Sequence, residues 1–159
     1  MRLLLVHHGD AVGPDVDPQR PLSSRGMDAV DALVDRFLAE CARTPDLGSC
    51  TPQAIWHSGK LRARQTAEAF LRASPFAEFK AVRGLRPDDP PEIILETIAH
   101  ETRDVALVSH MPLLPAIRAR LTGGPAAFPP HGLVLLDRDV EDAGGTGAWR
   151  ELLVLDGGL

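Results

Sequence analysis

The run Leu3-Leu4-Leu5-Val6 is apolar at every position. A strand with one wet face alternates apolar and polar residues, so an unbroken run needs cover on both faces. Val105-Ala106-Leu107-Val108 repeats the pattern late in the chain. Shorter strand-like segments lie at Ala54 to His57, Phe79 to Val82, Leu133 to Leu136 and Glu151 to Leu155. Between them, apolar residues recur at helical spacing. Met27, Val30, Leu33, Val34, Phe37, Leu38 and Cys41 form one such stripe, entered at Ser23 or Ser24 as N-cap. Ala63, Thr66, Ala67, Phe70 and Leu71 form a second, and Ile94, Leu95 and Ile98 a third. A fourth helix starts at Pro112, runs through Ile117 and Leu121 and stops at Gly123-Gly124. Strands alternating with helices predict an α/β fold, a three-layer α/β/α sandwich on a mostly parallel central sheet.

The chain of 159 residues is the size of one domain, and a single domain over 1–159 is expected. A net charge of −5 argues against a nucleic-acid footprint, which needs clustered excess base. No apolar run approaches a membrane span, and Leu3 to Val6 is too short for a signal-peptide core. A cytoplasmic address follows as the expectation. Cys41 and Cys50 form no metal-binding or redox spacing, and reduced, idle thiols are expected.

In parallel sheets, ligands bind beyond the carboxyl ends of the strands. Three strands here end in polar residues: His7-His8 after the first, His57-Ser58 after the second, and Ser109-His110 after the run at Val105. Lys60, Arg62 and Arg64 follow the second. Any one of these histidines alone reads as structural, and the arginines as a solvated helix face. Their combination at equivalent strand ends reads as a cationic pocket for an anion such as phosphate.

These residues resemble a family. His7-His8-Gly9-Asp10-Ala11 is similar to the R-H-G signature of the histidine phosphatase superfamily, also called phosphoglycerate-mutase-like. Arg20-Pro21-Leu22-Ser23-Ser24-Arg25-Gly26 resembles its P-L-[ST]-x-x-G entry to the first helix. Ser58 to Thr66 resembles its S-x-x-x-R-A-x-Q-T segment, and Val108-Ser109-His110-Met111-Pro112 the segment around its second histidine. The short chain points to the small SixA-type phosphohistidine phosphatases.

The resemblance implies a phosphatase without cofactor or metal, acting on a protein-bound phosphohistidine or a small phosphomonoester. His8 takes the nucleophile position, attacking phosphorus through a neutral ring nitrogen while the other nitrogen holds its proton against a backbone carbonyl. Gly9, lacking Cβ, lets backbone come close. Arg62 takes the phosphate-gripping position, His110 that of the second histidine, and Ser58 that of an extra donor. The expected partners are a phosphorylated substrate, phosphate or another oxyanion. Asp10, Asp88 and Asp89 are the nearest carboxylates, and none is assigned as a general acid.

The departure is His7, where the family carries arginine. Three outcomes stay open. His7 binds phosphate as imidazolium, with a more acidic optimum. Alternatively, the pocket binds phosphate or a phosphoprotein with weak or no turnover. Or His7, His8 and His110 ligate a metal, against which stands the rule that adjacent strand residues face opposite ways. The leaving-group preference is expected to reside in the loops Asp10 to Arg20 and Arg86 to Pro91. Little functional signal is expected beyond Phe128.

Overall fold

The computed structural model describes residues 1–138 and 149–158. Six strands form one sheet: β1 (Arg2–His7), β2 (Ala54–His57), β3 (Glu78–Ala81), β4 (Val105–Ser109), β5 (Leu133–Arg138) and β6 (Trp149–Leu155). Their spatial order is β3-β2-β4-β1-β5-β6. The first four pair in parallel, β5 runs antiparallel to β1, and β6 antiparallel to β5. The expected α/β architecture with a mostly parallel sheet is the one observed. No described helix is long and apolar enough to cross a membrane.

The unbroken apolar runs are explained by what covers them. Leu4, Val6, Ala106 and Val108 pack into one core with α1 (Ser24–Arg43) and α2 (Leu61–Ala73). Leu3, Leu5, Val105 and Leu107 pack into a second with α3 (Pro91–Ala99) and α4 (Leu113–Thr122). Both β1 and β4 are buried at nearly every position. Covering one such Leu or Val side chain is worth about 1.5–3 kcal/mol.

The helix boundaries follow their cap residues. Ser23 is the N-cap of α1, its Oγ accepting the Gly26 N–H at 2.9 Å. Gly123, in the left-handed conformation, ends α4 and returns its N–H to Ala119 O. Two expectations need correction. Met27 is 47% exposed, because the buried stripe of α1 passes through Gly26 and Val30 instead. Cys41 and Cys50 are joined in a disulfide rather than left as thiols. Thr44 ends α1, and a 3-10 turn at Pro45–Leu47 brings the chain back so that both sulfurs meet. Disulfides are uncommon in a reducing cytosol, so this bond bears on the expected address as well.

Candidate active site

Because β1, β2 and β4 are parallel, their carboxyl ends share one edge of the sheet. The register sets His7 opposite Ser109, and His57 opposite Val108. β5 runs the other way, so its start lies where β1 ends: Val6 pairs with Leu133. The residues just before Leu133 therefore join the same edge, and they bring in His131.

His8 lies one residue past the strand. Its N–H donates to Ser109 O at 3.1 Å, and its Nδ1 lies 2.7 Å from Gly9 O. A carbonyl only accepts, so Nδ1 carries the proton and the lone pair is left on Nε2. Arg62 Nε donates to that Nε2 at 3.3 Å. The backbone at Gly9 is held by Thr66, whose Oγ1 accepts the Gly9 N–H at 3.0 Å and donates to Arg62 O at 2.8 Å. One hydroxyl thus ties the loop after β1 to the turn of α2 that carries Arg62. Gln65 adds a second tie, accepting the Leu22 N–H at 2.7 Å. Close approach is obligatory here: a Cβ on Gly9 would lie 2.5 Å from Val30 Cγ2, and one on Gly26 would lie 2.1 Å from Asp10 O.

His7 is held differently. Its Nδ1 accepts the His131 backbone N–H at 2.8 Å, which places the ring proton on Nε2. Adding a proton at Nδ1 would set donor against donor. His131 also stacks on His7, with ring centroids 4.7 Å apart and planes 6° from parallel. The His131 side chain donates from Nδ1 to His8 O at 2.7 Å. His131 has φ of +52°, a conformation that non-glycine residues adopt only at a cost. One residue therefore fixes the ring of His7 and the backbone of His8 together.

His110 and Ser58 complete the group. Ser58 Oγ lies 2.6 Å from His110 Nε2 and accepts the Lys60 N–H at 3.3 Å. The hydroxyl thus engages Nε2 of His110 and leaves Nδ1 as the ring nitrogen open to another partner. That Nδ1 is buried and has no partner. A buried polar nitrogen without a partner is costly unless a ligand supplies one. The His8 and His110 rings lie 4.9 Å apart.

The electrostatics follow from crowding. His7 is pushed down to about 3, first by burial and then by His8, His131 and Arg62. His8 is pushed to about 3 by burial, against the opposing pull of Gly9 O, with His110, Arg62 and His131 adding to the shift. His110 reaches about 3 through burial and the charges of Arg62, His7, Lys60 and Arg20. The edge thus holds neutral imidazoles beside a fixed guanidinium. Burial and the His131 N–H both oppose the added proton that one of the three readings of His7 requires.

All five site residues expected from the sequence, His7, His8, Ser58, Arg62 and His110, meet at this edge. Two of the nearby carboxylates are engaged by partners outside this group. Asp10 accepts the Ser23 hydroxyl at 2.8 Å, and Asp89 accepts the Arg86 N–H at 2.9 Å. Two contributors were missed. Arg20, in the resemblance segment and at φ +48°, adds positive charge felt by Arg62 and His110. His131 lies in the segment from which no functional signal was expected. Its signal becomes readable once β5 is set antiparallel beside β1.

His7, His8 and His131 also place ligand nitrogens within 4.8 Å of one another, a different trio from the one expected. His7 and His8 can meet, with ring centroids 4.6 Å apart, because the strand ends at His7. Their hydrogen bonds do not suit a shared ion. The lone pair of His7 is occupied by the His131 N–H, and that of His8 accepts from Arg62 Nε.

Neither a family model nor a curated protein sequence matches the chain. Solved structures do. The Agrobacterium tumefaciens protein assigned as the phosphohistidine phosphatase SixA superposes with a TM-score of 0.74 at 25% identity, covering 97% of this chain and 96% of its own. The chain has the fold of the SixA-type histidine phosphatases. A protein histidine phosphatase SixA complexed with tungstate gives a TM-score of 0.76 at 20% identity over 99% and 97% of the two chains. A mycobacterial glucosyl-3-phosphoglycerate phosphatase gives 0.66 at 18% identity over 96% and 97%. Against the R-H-G signature that the sequence resembles, His7 is the departure to explain, and its stacking on His131 is the structural context for it.

Proposed function

We propose that the chain hydrolyses a phosphohistidine or a small phosphomonoester through a phosphoryl group carried on His8 Nε2. The observation that supports this most is the protonation pattern of His8. The Gly9 carbonyl holds the Nδ1 proton, so Nε2 carries the lone pair that attacks. In the first step the Nε2–P bond forms as the bond from phosphorus to the leaving group breaks. The leaving group keeps the electron pair and takes a proton from solvent. In the second step water adds to phosphorus and Nε2 leaves, which gives inorganic phosphate and restores His8.

Charge in this transfer is spread over the equatorial oxygens, so placed donors do much of the catalysis. Arg62 supplies the fixed positive charge. His110 presents its otherwise unpartnered Nδ1, which donates to a phosphoryl oxygen in the tautomer where Ser58 gives its hydrogen to Nε2. His7 supplies an Nε2–H in place of a guanidinium, a donor without a charge. A neutral donor here weakens the grip on a phosphoryl dianion by about 1.5–3 kcal/mol, roughly ten- to a hundredfold.

Steady-state release of phosphate from N-phosphohistidine and from an aryl phosphate tests this reading. The parent hydrolyses at least one without added metal, and His8→Ala reduces the rate by a thousandfold or more. Equal rates for parent and His8→Ala overturn it. A second reading, a phosphate- or phosphoprotein-binding module, draws on the neutral state of His7. Under it, the parent binds phosphate and releases none from either substrate.

A further inference from the structure

A cleft of about 370 Å³ adjoins the site, lined by Ser58, Gly59, Ala81, Val82, Arg83, Arg86 and Asp89. Ser58 belongs to both, so the cleft reaches the group whose hydroxyl meets His110. Its far wall is the loop between β3 and α3, and that loop is firmly placed. Gly84, at φ +92°, turns the chain so tightly that a Cβ would lie 2.7 Å from Ile93 Cγ2. Leu85 is fully buried, and its carbonyl accepts the Ser109 hydroxyl at 2.7 Å, one residue before His110. Asp89 closes the loop on the Arg86 backbone. Anchoring Leu85 leaves the residues on either side, Arg83 and Arg86, exposed along the cleft.

Most of the protein's arginines have a carboxylate or carbonyl partner, whereas these two, like Arg25 on α1, have none among the described residues. The protein has 22 acidic and 17 basic residues, enough carboxylates to partner every cation. Arg64, Arg72, Arg103, Arg118 and Arg120 each meet one. Among the described residues, neither the Arg83 nor the Arg86 guanidinium has a carboxylate or carbonyl partner. Asp89, the one carboxylate on the cleft, already accepts a backbone N–H. Lys60 and Arg62 add positive charge from the Ser58 side, since His110 feels both. A planar guanidinium offers paired donors to a carboxylate or phosphate.

We propose that this cleft is the leaving-group subsite, and that it selects small phosphomonoesters carrying a second anionic group, a carboxylate or a second phosphate, which Arg83 and Arg86 bind. This rests on the phosphatase reading and narrows its substrate class. The volume suits a small organic acid.

The test compares 3-carboxyphenyl phosphate with phenyl phosphate, whose phenols are of similar acidity. In the parent, kcat/KM favours the carboxylated ester by about tenfold or more, and in the double variant Arg83→Ala/Arg86→Ala the ratio falls to near one. The matching phosphonates, titrated calorimetrically, give the same comparison as Kd and need no turnover. A parent ratio near one in both measurements, or a ratio unchanged in the double variant, overturns the subsite. Competition by polyglutamate at lower concentration than the carboxylated phosphonate also overturns it, in favour of an acidic protein. Absent hydrolysis with a tenfold phosphonate preference intact would instead defeat the phosphatase reading and leave the subsite standing.

Discussion

At the scale of single residues, His7 turns on its neighbour. The His131 N–H holds His7 as a neutral Nε2–H donor, and the stacked ring leaves it little room to turn. Replacing His7 by arginine restores a charged, forked donor, so His7→Arg is expected to tighten inorganic phosphate binding at neutral pH by roughly tenfold or more. Calorimetry checks this, and an unchanged Kd would place His7 outside the anion site. His131→Ala keeps the backbone N–H but removes the stacked ring and the bond to His8 O. Its kcat/KM is expected to fall about tenfold, with the acid limb of the pH–rate profile moved upward as the nucleophile His8 becomes easier to protonate. A fall in rate with an unmoved profile would indicate only a structural role. His131 was invisible in the sequence for a physical reason. It lies 124 positions from His7 in the hydrogen-bonded pair, and only the antiparallel pairing of β5 with β1 brings them together.

At the scale of elements, the glycines and the α2 motif do structural work that the sequence pattern alone does not reveal. Gly26 lets the first turn of α1 lie against Asp10, and Gly26→Ala would drive a methyl into that carbonyl. Such a clash against backbone is expected to cost about 2–4 kcal/mol in urea unfolding. A change below about 0.5 kcal/mol would mean that the helix moves aside freely. The elements themselves were legible because their periods are clean. The two buried strands are unbroken apolar runs, and each helix carries its own stripe and stop signal. Less legible was the exposure of Met27, since Gly26 takes the buried position and hydropathy cannot anticipate a glycine contact. The Cys41–Cys50 disulfide was hidden too, because two cysteines in a chain of ordinary composition carry no framework signal. Closing so short a loop restricts the unfolded chain by about 2–3 kcal/mol. Adding dithiothreitol is therefore expected to lower Tm by several degrees while kcat stays the same, as the bond lies at the far end of α1 from Ser23. An unaltered Tm would show that the bond does not form in solution.

For the whole molecule, the site is a local concentration of cations and neutral imidazoles in a protein of net charge −5. His7, His8 and His110 all resist protonation down to about 3, chiefly because they are buried. Unfolded imidazoles take up protons near pH 6.5, so below that the unfolded chain binds more protons than the folded one. Stability is therefore full above about pH 6.5 and is lost as the pH falls towards 3. Between pH 6.5 and 5 the loss is about 1–2 kcal/mol per ring. Urea midpoints in phosphate-free buffer at pH 7 and 5 measure it, and a midpoint that holds or rises at pH 5 would contradict the buried, neutral cluster.

The central claim is that His8 carries the phosphoryl group on Nε2, because Nδ1 is committed to Gly9 O. Rapid quench into base during turnover, followed by peptide mass spectrometry and phosphorus NMR, reads it directly. The account predicts a base-stable, acid-labile phosphoryl group on His8 Nε2 that is absent from His8→Ala. Label on His7 or His131, or undiminished turnover by His8→Ala with no labelled protein, would contradict it.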